Sequence, residues 1–159
     1  MFSIEIISNA YRAFVDMQVA QSWGGPYVVS RSTAHDTRMQ PGFVAVEKGN
    51  VVGYVLYNVI GTDCEITVLE SLHARRGIGS ALINEVISIA KELACQRVWL
   101  ITTNDNIHAI RFYQRRGFEL AAVYIDVMEE ARRLKPQIPL TGNEDIPIKH
   151  EFEFEMNIR

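Results

Sequence analysis

The chain lacks much of what would place it in several large protein classes. Of its 159 residues only two are cysteine; Cys64 and Cys95 show no metal-type spacing, and free thiols in a cytoplasmic setting are the expectation. No stretch approaches the roughly 20 apolar residues of a membrane span. Met1 to Ser8 lacks the basic start and long apolar core of a secretion signal. Basic charge is not in excess: 16 Lys and Arg stand against 19 Asp and Glu, a net charge of -3. That balance argues against non-specific nucleic-acid binding, which needs a basic face or stripe. His35, His73 and His150 share no ligand spacing, so no metal is expected. Repeats, low-complexity tracts and internal linkers are missing too.

What is present is an ordinary globular composition, 48% apolar and 22% charged, in a chain long enough for a full hydrophobic core. Residues 1–159 read as one domain. Tyr11, Phe14, Val15, Val19 and Ala20 recur at helical spacing, and Gly24-Gly25-Pro26 ends that helix. Tyr27 to Ser32 is short and β-rich; Thr33 to Gly42 is polar and reads as a loop. Phe43 to Glu47 and Val51 to Ile60 are strands joined by a tight turn at Lys48-Gly49-Asn50. Cys64 to Leu69 or Glu70 is the next strand.

Gly77 to Ala94 carries a buried stripe of Ile78, Leu82, Ile83, Val86, Ile89, Ala90 and Leu93 and reads as a helix. The apolar run Arg97 to Thr103 is expected deep in a sheet, parallel to the strand before that helix. Asn106 to Arg116 is a shorter helix, Phe118 to Ile125 a strand, Val127 to Leu134 a helix, and Lys135 to Pro147 a proline-rich loop. The last strand alternates Phe152, Phe154 and Met156 with Glu151, Glu153 and Glu155. The class is α+β: a mixed, mostly antiparallel sheet of about six to seven strands with one parallel crossover and flanking helices.

Ala74-Arg75-Arg76-Gly77-Ile78-Gly79-Ser80 sits where a strand gives way to a helix. The first amides of a helix have no partner within it, and glycine lets an anion approach that backbone without a Cβ in the way. Arg75 and Arg76 add positive charge, so the turn suits a diphosphate. An ordinary glycine-containing helix entry with solvated arginines is the competing reading. A dinucleotide-binding turn fits poorly, since its third glycine would fall at Leu82.

Arg75-Arg76-Gly77-Ile78-Gly79, followed by Asn106, Ala109, Tyr113, Gly117 and Phe118, resembles the GNAT superfamily of acetyl-CoA-dependent N-acetyltransferases over about residues 43 to 126. The family's Gln/Arg position falls on Ala74. The resemblance implies an acyltransferase with acetyl-CoA as co-substrate, moving an acetyl group to a primary amine by direct attack. It implies cofactor contacts at Leu69, Arg75, Arg76, Gly77, Ile78, Gly79, Ser80, Asn104, Asn106, Tyr113 and Arg116. Tyr113 would be general acid, and a bulge or splaying of the central strands would free the Leu69 amide for the acetyl oxygen. The same fold without turnover, a CoA-binding sensor or interaction domain, is the alternative.

Amine acetylation needs a base, because an alkylammonium near the lysine pKa of about 10.4 must lose a proton to attack. Glu65 is the candidate, with Glu70 second; four residues from Leu69, it is expected on the same strand face. The resemblance places the acceptor, a small-molecule amine or a peptide, near Trp23, Tyr27, Arg31, Tyr57 and the Lys135 to Pro147 loop. Glu151 and Glu153 either attract a cation or form the wet side of an edge strand. An edge strand and the C-terminal strand offer pairing surfaces for a homodimer.

Overall fold

In the computed structural model, which describes residues 1–74 and 76–159, alternating apolar residues build a seven-stranded sheet. Its members are β1 (Ser3–Ile6), β4 (Gly42–Glu47), β5 (Asn50–Ile60), β6 (Asp63–Ser71), β7 (Arg97–Thr103), β8 (Glu119–Tyr124) and β9 (Glu151–Asn157), in the order β1-β4-β5-β6-β7-β9-β8. Within this sheet, as described, β6 and β7 form the one parallel pair. They are joined through α2 (Ile78–Glu92), since parallel neighbours need a crossover. The other helices are α1 (Asn9–Trp23), α3 (Ile107–Arg115) and α4 (Met128–Leu134). Among the described residues no helix is long and apolar enough to cross a membrane.

Each face of the sheet closes over its own core. Ile78, Leu82, Ile83, Val86 and Ala90 of α2 pack on Val55, Ile66, Val98, Leu100 and Phe154, with Tyr113 and Phe118. Burying each large aliphatic side chain contributes about 1.5–3 kcal/mol. Val15 and Val19 of α1 cover Val44, Tyr54, Leu56 and Val68 on the other face. The Lys48-Gly49 turn has φ of 50° and 78°, the left-handed pair that matches strand twist in a two-residue hairpin.

The structure departs from the sequence reading at two places that shape the rest. Thr33–Asp36 is a strand, β3, paired with β2 (Tyr27–Ser30) in a separate hairpin, not a loop. Its turn is Arg31-Ser32, with φ of 47° and 60°; neither residue signals such a turn, so the strand that follows was not legible. Thr37–Met39 then forms a 3-10 turn, capped by the Asp36 carboxylate, which accepts from the Arg38 amide.

The last strand is not an edge. β9 lies between β7 and β8, so β1 and β8 are the edges. Glu151 and Glu153 are accordingly not the wet side of β9: they are 2% and 5% exposed. Arg97 donates to Glu153 and Glu155, both at 2.8 Å, and Tyr124 donates its hydroxyl to Glu153. The proline-rich loop is tied down by Arg132, which donates to the carbonyls of Ile138, Pro139 and Ile148.

Candidate functional site

The site begins with a defect in pairing. β5 and β6 shift register between Leu56 and Tyr57, so Val68 lies opposite Leu56 and Ile66 opposite Tyr57. Thr67 is the extra residue of a bulge. Because side chains alternate along a strand, one extra residue inverts the pattern beyond it. Ile66 and Leu69 therefore both pack against the α2 core, whereas Val68 belongs to the α1 core. Glu65, next to Ile66, points to the α1 side. The expectation that Glu65 and Leu69 share a face is thus corrected by the bulge.

β6 pairs with β7 only from Asp63 to Ile66, against Arg97 to Leu100. Beyond that the two strands part. The Leu72 amide donates to the Val52 carbonyl, which sets the phase of the antiparallel ladder and turns the Leu69 amide away from β5, toward the gap.

A cavity of about 450 Å³ fills the gap and reaches both faces of the sheet. Thr67, Val68 and Leu69 line it from β6, Leu100 to Thr103 from β7, and Asn106, Ala109 and Tyr113 from α3 or its cap. From the opposite face come Trp23, Val28, Ser30, Glu65, Glu151, Lys135 and the loop at Gln137 to Pro139.

Tyr113 is held edge-on between Phe112 and Phe118, with ring centroids 5.2 and 5.4 Å away. It is 7% exposed, and burial pushes its hydroxyl pKa well above the ordinary tyrosine value. At neutral pH it is a proton donor. Glu65 is 5% exposed. Its Oε2 accepts from the Ser30 hydroxyl at 2.6 Å, and His35 Nε2 stands 2.9 Å from the Ser30 oxygen and 3.7 Å from Glu65 Oε1. Burial, and next the charge of Glu153, push the Glu65 carboxyl up, although the Ser30 hydrogen bond, Arg31 and Arg97 oppose this. Burial pushes the His35 pKa down.

The glycine turn divides its labour. Gly77 has φ of 74° and faces open space, so a Cβ there would meet nothing. At Gly79 a Cβ would lie 2.9 Å from the Phe112 ring; that glycine lets α3 approach α2. Arg116 donates to Ser80 Oγ at 2.6 Å and to the Phe112 carbonyl at 2.9 Å, its guanidinium stacked 3.4 Å above the Phe112 ring. Arg76 is bound to Glu47. Arg75 lies outside the described residues.

Other expected positions are placed differently. Asn106 caps α3 by accepting from the Ala109 amide at 3.2 Å, and it lines the cavity. Asn104 does not line it: its side chain donates to the Pro147 carbonyl and accepts from the amides of Lys149 and His150, all at 2.9 Å. These bonds fasten the segment before β9. Tyr57 is buried against Phe43 on the α2 face, away from any acceptor wall. Arg31 sits over the Tyr124 ring beside a smaller pocket that also touches Glu65. Ser30 and His35 were missed because both belong to the unforeseen hairpin.

A seven-stranded mixed sheet with one parallel pair, opened beside the head of a glycine-started helix, defines the GNAT acetyltransferase class. The model of the GNAT acetyltransferase family matches residues 11–118, and the chain belongs to that family. It is 45% identical over 136 residues to the uncharacterized Bacillus subtilis protein YdhI, covering 85% of each chain. It is 29% identical to the Bacillus subtilis spermine/spermidine N(1)-acetyltransferase over 83 residues, 45% of this chain and 55% of that one. The crystal structure of a Bacillus subtilis acetyltransferase in complex with CoA superposes over 100% of both chains with a TM-score of 0.71 at 15% identity. The yncA protein of Salmonella typhimurium with its cofactor acetyl-CoA also gives 0.71 at 15%, covering 100% of this chain and 95% of that one. At such identities the likeness is one of fold.

Proposed function

We propose that the chain transfers an acetyl group from acetyl-CoA to a primary amine by direct attack, without a covalent enzyme intermediate. The observation that carries this reading is that the Leu69 amide, Tyr113 and Glu65 meet in one cavity that passes through the sheet. The head of α2 suits the coenzyme's diphosphate: Gly77 is open to approach, and the amides of Ile78, Gly79 and Ser80 have no carbonyl partner within the helix. Arg116, fixed by Ser80 and the Phe112 ring, adds positive charge there. Acetyl-CoA supplies an activated acetyl group on a thiol leaving group.

The chain's own residues handle charge and protons. The Leu69 amide, aimed into the gap, donates to the acetyl oxygen as negative charge grows on it. Glu65 takes a proton from the incoming ammonium so that its nitrogen can attack, and its raised pKa makes it a better base than an exposed carboxylate. The Tyr113 hydroxyl gives a proton to the departing sulfur. The nitrogen–carbon bond forms, the carbon–sulfur bond breaks, and the products are an amide and CoA.

The reading is tested with purified protein, a panel of primary amines and a thiol-release assay. CoA is expected to raise the melting temperature while NAD and ATP do not. Thiol release should depend on both protein and amine. A protein that binds CoA yet releases no thiol with any amine would instead be a CoA sensor, and one that does not respond to CoA at millimolar levels would sink both readings.

A further inference from the structure

The acceptor side of the cavity holds two buried carboxylates with unmet hydrogen-bonding capacity. Glu65 uses Oε2 on the Ser30 hydroxyl; its Oε1 has no hydrogen bond among the described residues, with His35 Nε2 at 3.7 Å. Glu151 uses Oε1 on the Arg31 amide at 3.2 Å, and its Oε2 has no hydrogen-bond partner among the described residues. Both side chains are at least nine-tenths buried and both line the cavity.

The neighbouring cations are committed elsewhere. Arg97 is held by Asp63, Glu153 and Glu155. Arg31 leans on Glu153 at 3.6 Å and on the Tyr124 ring. Lys135 donates to the Tyr27 carbonyl at 2.6 Å. Among the described residues neither carboxylate forms an ion pair with a Lys or Arg, although the charge of Arg31 lowers the pKa of both; two carboxylates so desolvated are costly. Burial, and next the charge of Glu65, raise the Glu151 pKa against the Arg31 amide bond and the Arg31 charge.

Spacing narrows the ligand further. The carboxylates are gripped by consecutive residues, Ser30 and Arg31, so their bound oxygens lie within about 10 Å of each other. Resting on the transferase reading above, we infer that the acceptor is a short α,ω-diamine, with Glu65 receiving the amine to be acetylated and Glu151 the second ammonium. A chain of roughly three to five methylene groups spans the two carboxylates. Trp23, Val28, Met128, Ile138 and Pro139 provide an apolar wall for that chain. Lys135 is the rival: it would favour an acceptor whose far end is anionic. One of its three N–H groups is given to the Tyr27 carbonyl, and burial lowers its pKa.

Three acceptors of one length decide the matter: 1,4-diaminobutane, n-butylamine and 4-aminobutyrate, whose far ends are cationic, neutral and anionic. The expected order of kcat/KM follows that sequence, with about tenfold between neighbours for a buried charge gained or opposed. Glu151→Gln, which keeps an oxygen for the Arg31 amide, should raise KM for the diamine about tenfold with kcat little changed, and should leave n-butylamine within about twofold. A preference for 4-aminobutyrate, or an unchanged diamine advantage in Glu151→Gln, overturns the inference while leaving the transferase reading intact. Thiol release with other amines but none of these three does the same. No release with any amine removes both.

Discussion

The two sides of the cavity were built by different rules. On the coenzyme side, a glycine turn, a helix and its neighbour α3 follow one another closely in sequence, and local signals carry nearly everything. Gly77 must adopt a positive φ, and Asn106 caps the next helix. On the acceptor side, Ser30, Glu65, Lys135 and Glu151 come from four distant segments. What unites them is pairing: the β2–β3 hairpin, the bulge at Thr67 and the insertion of β9 between β7 and β8. The first side follows from a local motif; the second depends on how distant segments pair.

The largest effects are expected at Tyr113 and Glu65, one from each side of the cavity. Tyr113→Phe should lower the acetyl-transfer rate at least about 10²-fold while leaving CoA affinity nearly unchanged, since it removes a proton donor and keeps the packing. Isothermal titration with CoA beside steady-state kinetics checks both halves, and an unchanged rate would remove the acid role. Glu65→Gln should cost about 10² in rate. As a base Glu65 must be ionised, so wild-type activity should rise with pH through a value above the ordinary carboxylate pKa, and this limb should vanish in the variant.

Glu65 and Glu151 should respond to pH in the opposite sense where stability is concerned. Their folded pKa values are raised, so the native state holds more protons than the unfolded chain between the unfolded and folded values. Stability therefore favours low pH in that window and is lost as pH rises through the folded pKa values. Replacing both by glutamine should flatten this loss, which amounts to about 1.4 kcal/mol per group for every tenfold rise in proton affinity, discounted for the exposed part of the cavity. Urea unfolding across pH measures it, and an unaltered slope would mean that neither carboxylate is desolvated as argued.

Smaller effects separate scaffold from site. Asn104→Ala removes its three hydrogen bonds to the segment before β9 and should cost about 2 kcal/mol of stability with no change in CoA affinity. A selective loss of CoA affinity would restore it to the coenzyme site. Gly77→Ala meets no neighbouring atom, so it should cost only the left-handed backbone strain of about 1–2 kcal/mol, seen as a modest drop in melting temperature.

Much of the sheet was readable in advance because strand alternation, the Lys48-Gly49 turn and the α2 stripe are local patterns. The β3 strand was not, since Arg31-Ser32 carries no turn signal, and the Arg31 amide donates to Glu151, 120 residues away. The face shared by Glu65 and Leu69 failed for a related reason. Periodicity counts residues, and a bulge uses one residue without advancing the ladder.

By itself the chain determined its α+β class, the run of helices and strands from Phe43 to Leu134, and the glycine-led helix head, because each follows from the chemistry of neighbouring residues. Only the tertiary structure decided that β9 runs inside the sheet, that Glu151 and Glu153 are buried, and that Glu65 looks away from Leu69. Those outcomes depend on which strands pair and in what register, and register is settled by contacts between segments far apart along the chain.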